Sequence, residues 1–234
     1  MGLIYKYCPC NEFTQTIFST GCLHYSHPCD FNDPYDCMFN LNKKKLHIFI
    51  ERIATDKIRL VPIDMGVLQQ IVQNEINDVE VCCFSKDGLQ MQMWSHYAKE
   101  HKGICLEFEE ELLLDRQYCE VREVIYQQEQ VINESILPTL PQEEIIKFLY
   151  TKHSSWDYEQ EVRFFHKPDP NYSNGNYPFN KMALKSVYFG SKCTKDNIER
   201  YIELCKSNGF AHVRFYQMGL TQNGDFGLLP RRMN

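Results

Sequence analysis

The stretch MWSHYAKEHKGICLEF, residues 93–108, constrains the fold most, because a helical pattern runs straight into a strand. Trp94, Ala98 and His101 fall on one stripe at i, i+4 and i+7, with Tyr97 beside them, so the spacing predicts a helix that lays this stripe on a sheet. Gly103 reads as its stop, and ICLEF at 104–108 is apolar enough for a buried strand. Trp94, Tyr97 and His101 combine flat rings with polar tips. Such side chains suit core packing, with His101 complementing the helix dipole, or the wall of a pocket for a flat polar ligand. His96 points off the stripe and is expected to be exposed.

Other segments alternate in the same way. LIYKY (3–7), VEVCCFS (79–85), VREVIY (121–126), YEQEVRFF (158–165), ALKSVYFG (183–190) and AHVRFY (211–216) read as strands. NEFTQTIFSTG, with Phe13, Ile17 and Phe18 at helical spacing and Gly21 as a stop, reads as a helix. So do 42–56 and 64–77, separated by Pro62, then PQEEIIKFLYTKH (141–153) and TKDNIERYIELCKSNG (194–209). The turn-rich runs are 22–39 and 167–180. No internal repeat and no shift in composition divides the chain. The expectation is a single α+β domain over 1–234, a mixed or antiparallel central sheet with flanking helices.

At 43% hydrophobic and 13% aromatic, 234 residues can bury a proper core. The net charge of −6 argues against a general nucleic-acid binder, and NKKKLH at 42–47 reads as a solvated patch. No run of 18 apolar residues and no signal-peptide pattern is present, so a cytoplasmic protein without membrane contact is expected. In that compartment the eleven cysteines read as reduced thiols, with Cys82 and Cys83 on opposite faces of one strand. Cys8, Cys10, Cys22, His24, His27 and Cys29 are spaced mostly by one residue. Zinc ligand pairs usually leave two to four between them, so no metal site is expected.

Two segments offer chemistry. On a strand through WDYEQEVRF, Glu159, Glu161 and Arg163 share one face, and Val162 and Phe164 the other. Such a face is either a solvated Glu–Arg ladder or a site that binds hydroxyls and stabilises a cationic transition state. In FNDPYD, Asn32, Asp33 and Asp36 can hold a ligand or fix the loop through local bonds.

Taken together, YKY, FNDPYD, CFS, MWSHYAKEHKGICLEF, WDYEQEVRF and VYFG resemble the bacterial domain-of-unknown-function family 2971 over nearly the whole chain. The order of elements also resembles, more distantly, the ADP-ribosyltransferase fold. That resemblance implies a first strand with Lys6 or Tyr7 near the NAD-binding position, where those enzymes carry His or Arg. It implies a second strand with Ser85, and a helix whose Trp94, Tyr97 and His101 flank the nicotinamide. It makes Glu161 the catalytic carboxylate and Glu159 its partner, with Arg163 beside them. The function implied is an NAD-consuming transfer of ADP-ribose to a macromolecular acceptor, protein or nucleic acid, in bacterial defence or a toxin system.

Two other readings of the same residues stand beside it. One is a metal-dependent hydrolase or nuclease built on Asp33, Asp36, Glu159, Glu161 and His101. The other is a binding module that keeps the fold and senses a nucleotide or a partner.

Overall fold

A computed structural model describes residues 2–38, 65–113, 119–129, 142–222 and 225–233. In chain order the strands are β1 (Leu3–Cys8), β2 (Cys22–His24), β3 (Glu80–Ser85), β4 (Ile104–Glu109), β5 (Glu120–Glu123), β6 (Ile125–Gln127), β7 (Thr151–His153), β8 (Glu161–His166), β9 (Asn176–Pro178), β10 (Leu184–Phe189), β11 (Arg214–Leu220) and β12 (Leu228–Arg232). Eight form one sheet in the order β12–β11–β10–β4–β1–β3–β8–β5. Its neighbours are antiparallel except β10 and β11. That parallel pair is joined by a crossover helix, Lys195–Ser207, as a parallel connection requires. β2 pairs with β9, and β6 with β7, at the margins. The expected mixed α+β architecture is therefore what the chain adopts.

Period-2 patterning gives the sheet two unlike faces. One carries Ile4, Cys82, Phe84, Leu106, Phe108, Val162, Phe164 and Val187, covered by helix α1 (Glu12–Thr20) through Ile17 and Phe18 and by the crossover helix through Ile198, Tyr201 and Cys205. Each such side chain contributes about 1.5–3 kcal/mol on burial. Helix α1 starts where the Asn11 side chain accepts from Thr14 N and stops at Gly21, whose φ of 69° suits glycine. Phe13, expected inside with Ile17 and Phe18, is 55% exposed and lies edge-on to His24.

The second face carries Tyr5, Tyr7, Ser85, Glu107, Glu161 and Arg163. Register aligns Glu107 with Tyr5, Tyr5 with Ser85, and Ser85 with Glu161. Two apolar clusters flank this polar row. One surrounds Trp94, Met93 and Ala98 with Tyr7 and Met218, and the other surrounds Val72, Ile76, Val81, Phe148 and Phe165.

Several expected boundaries shift. The helix 141–153 stops at Phe148, because Thr151–His153 pairs with β6 and Ile125 N donates to Tyr150 O. VREVIY splits at Val124, whose N–H turns to Glu161 O, so β5 stays in the large sheet while β6 leaves it. YEQEVRFF is strand only from Glu161. Ser154–Glu159 is a 3-10 helix capped by the His153 side chain, and Gln160 at φ 43° reverses the chain. The last strand prediction holds from Arg214 and runs on to Leu220. Helix 64–77 is seen over Met65–Asn77, whereas 42–56, Pro62 and the basic run 42–47 lie outside the described residues.

The helix of 93–101 changes most. It spans Met91–His96, and Lys99, Glu100 and His101 all take left-handed φ values of 46°, 57° and 66°. This reversed turn is tied to the end of β10 by Lys192 N donating to His101 O and Gly190 N to Gly103 O. A Cβ on Gly190 would lie 2.1 Å from His101 O, and one on Gly103 2.2 Å from Cys8 O. Gly103 is thus a point of close backbone approach, not a helix cap.

Candidate active site

The chemistry-bearing residues meet on the polar face of β8. Arg163 is 0% exposed, and its guanidinium is fully occupied. Nε and Nη2 donate to Glu161 Oε1 and Oε2 at 2.8 and 2.9 Å; Nη1 and Nη2 donate to Asp36 Oδ1 and Oδ2 at 2.9 and 2.7 Å. Nη1 also donates to Leu149 O at 2.8 Å, and Phe31 stacks on the ion at 5.3 Å. The planar fork of arginine suits two bidentate carboxylates at once.

Lys152, on β7, donates to Glu159 Oε2 at 2.6 Å and to Glu161 Oε2 at 3.3 Å, with Asp36 Oδ2 at 3.3 Å. Glu159 closes the group: Tyr97 Oη donates to its Oε1 at 2.6 Å. Glu159 and Glu161 are 2% and 5% exposed. The expected shared face for Glu159, Glu161 and Arg163 is thus corrected in its cause. Glu159 sits on the 3-10 turn, not on the strand, and Lys152 joins it to the other two.

Three carboxylates, Asp36, Glu159 and Glu161, here face two cations, Lys152 and Arg163. One acid must carry the excess charge. Burial would push Glu161 upward, but Arg163 and Lys152 override it and hold its carboxyl down at about 2. Burial raises the proton affinity of Glu159; Lys152 offsets part of this and the charge of Glu161 adds to it, leaving a net upward shift. Burial, with the charge of Glu159, also pushes Tyr97 up. The two neighbouring carboxylates are therefore shifted in opposite directions, Glu161 downward and Glu159 upward.

The other expected site residues divide by position. Ser85 is buried in register with Glu161, but its hydroxyl donates to Asp87 O at 3.2 Å and accepts from Asp87 N at 3.1 Å, which fixes a turn. Tyr7 shares the Glu161 face and donates to Asp87 O at 2.6 Å. Lys6 is on the opposite face, over the Phe84 ring and within 3.2 Å of Cys82 Sγ, so the sheet separates it from Glu161. Trp94 is 0% exposed, donates to Gly88 O at 3.0 Å and packs edge-on to Tyr7, so both faces of its ring lie inside the core. His101 reaches Trp94 through the reversed turn and not along a helix; the rings are parallel within 11° at 6.4 Å. Its Nδ1 is buried and, among the described residues, has no hydrogen-bond partner. His96 is exposed, as expected, with Nδ1 at 3.1 Å from Tyr158 Oη.

Lys152 escaped sequence reasoning because TKH was absorbed into a helical pattern. Asp36 is legible in sequence as a loop or ligand-holding residue but not as a partner of Arg163; the turn itself is fixed by Asp33, whose carboxylate accepts from Tyr35 N. Glu107 was overlooked altogether, although a lone Glu in the apolar run ICLEF was its signal. It is buried and accepts from Ser186 Oγ at 2.8 Å and Tyr188 Oη at 2.6 Å.

Among the described residues, no group of three or more His, Cys, Asp or Glu side chains is arranged to hold a metal ion. Asp36, Glu161 and one oxygen of Glu159 point at ammonium and guanidinium groups, where a divalent ion would be repelled. Cys10 lies 3.9 Å from Cys193, and every cysteine is free. No helix among the described residues is long and apolar enough to cross a membrane.

No curated protein and no solved structure matches the chain. Residues 93–164, which carry Tyr97, Lys152, Glu159, Glu161 and Arg163, match the family described as "Protein of unknown function (DUF2971)".

Proposed function

We propose that the chain is an ADP-ribosyltransferase-like enzyme that cleaves the nicotinamide–ribose bond of NAD or a related nucleotide. The observation that carries this reading is a buried carboxylate pair in which Glu161 is anchored by Arg163 and Lys152, and Glu159 is held by only Lys152 and Tyr97 among the described residues. Breaking that bond develops positive charge on the ribose, and a preorganised carboxylate stabilises it. Glu159 is the carboxylate assigned to the ribose. Each of its oxygens accepts one hydrogen bond, which leaves acceptor capacity for a hydroxyl. Half-buried Tyr97 covers Oε1, so rotation of this phenol would open the oxygen to a ligand. Glu161, held by three donor contacts, acts as the anchor that keeps Lys152 and Arg163 in place. The roles first assigned to the two glutamates are thereby exchanged.

The test is nicotinamide release from NAD in the presence of EDTA. Release that persists in EDTA supports the reading, and cleavage that depends on a divalent ion would favour the hydrolase instead. The alternative of a binding module is favoured by one observation, the complete burial of Trp94, which removes a wall expected for the nicotinamide. Saturable NAD binding without turnover would establish it.

A further inference from the structure

A second site lies at the other end of β3 and β8. Glu80 pairs with His166, five residues beyond Glu161 on β8, or about 17 Å along the strand. It also belongs to the opposite face of the sheet. Here a cleft of about 580 Å³ opens between the β2 segment and the 167–180 loop.

Its lining carries three acids, Asp30, Glu80 and Asp169, and neither lysine nor arginine. Glu80 is 5% exposed. Tyr177 donates to its Oε2. No donor among the described residues bonds Oε1, whose one ionic neighbour, His27 Nε2, is 3.9 Å away and 42% exposed at the side chain. A carboxylate this buried normally has a full cation beside it. Tyrosines, histidines and prolines make up much of the rest of the wall. Tyr25 and Tyr172 line the cleft, and both pack on Tyr177, at 5.3 and 5.1 Å between centroids.

The wall is built rather than draped. Tyr25 N donates to Gly175 O at 2.8 Å, and Asp169 N donates to Tyr177 Oη at 3.1 Å. Gly175, at φ 66°, lets the loop approach so closely that a Cβ would lie 2.2 Å from Tyr25 O.

We propose that this cleft binds a small organic ammonium ion. Glu80 supplies the counter-charge, and the tyrosine faces supply cation–π attraction, the combination by which aromatic cages hold quaternary and alkylated amines. A phosphate-bearing ligand would meet three carboxylates, so the cleft is separate from any nucleotide site on β8.

The experiment titrates the full chain with choline by calorimetry, with spermidine as a second cation and AMP as the anionic control. Saturable binding of choline or spermidine but not AMP is expected. Glu80→Gln keeps the Tyr177 hydrogen bond and should weaken binding about tenfold or more. Tyr172→Leu, at a 41% exposed position, should weaken it with little change in melting temperature. Failure of both cations to bind, equal binding to Glu80→Gln, or preference for AMP overturns the assignment. Glu159→Gln should leave the cation affinity unchanged, which separates this site from the carboxylate pair.

Discussion

Arg163 shows how one side chain decides the state of several others. It is wholly enclosed and satisfies two carboxylates, so its loss leaves Asp36, Glu161 and Glu159 in a water-poor interior with Lys152, among the described residues, as the one cation on all three. Arg163→Ala should lower stability by about 3–5 kcal/mol in denaturant titration. Arg163→Lys should recover little, because an ammonium cannot bridge two carboxylates bidentately. Trp94→Ala should cost about 3–5 kcal/mol as a large core truncation, with NAD affinity unchanged in the folded fraction. The two glutamates should respond to pH in opposite directions. Glu161 falls from an ordinary 4.5 to about 2 on folding, so its contribution is full above 4.5 and is lost as pH drops toward 2. Glu159 is shifted upward, so its ionisation opposes folding as pH rises. Glu161→Gln should flatten the acid limb of the melting-temperature profile, whereas Glu159→Gln should hold or raise the neutral-pH melting temperature by balancing the charges.

The elements that the sequence predicted well are those whose signals are local. Helix α1 has its Asn cap and Gly stop, and the crossover helix has Thr194 as its cap and an apolar stripe through Ile198, Tyr201 and Cys205. The misjudged segments were decided by distant partners. Thr151–His153 became a strand because β6 lies beside it, and Glu159 left the strand because the backbone reverses at Gln160. The turn at 99–101 had little legible signal, since Lys and Glu are poor markers of left-handed backbone and His101 alone is of a type enriched there. Its support is the pair of glycines that let the loops touch. Gly190→Ala would force a Cβ within 2.1 Å of His101 O, where backbone must move. A loss of about 1–3 kcal/mol or more is expected, read as a lower melting temperature.

Across the molecule, one eight-stranded sheet keeps an apolar face packed under helices and a polar face that carries the buried carboxylate cluster. The candidate residues Glu159, Glu161 and Arg163 were legible as a motif, but Lys152 and Asp36, which set their charges, come from segments whose pairing no local pattern announces. That division explains why Lys6, adjacent to Tyr7 in sequence, ends on the wrong side of the sheet for the site. In the proposed reaction Glu159 is the carboxylate that meets developing positive charge. The most direct measurement is nicotinamide release from NAD by the wild type, Glu159→Gln and Glu161→Gln, with kcat and KM resolved and melting curves beside them. The prediction is that Glu159→Gln lowers kcat by roughly 10²–10³ with little change in KM and no loss of melting temperature. Full activity of Glu159→Gln, or a wild type that never cleaves NAD, would contradict it.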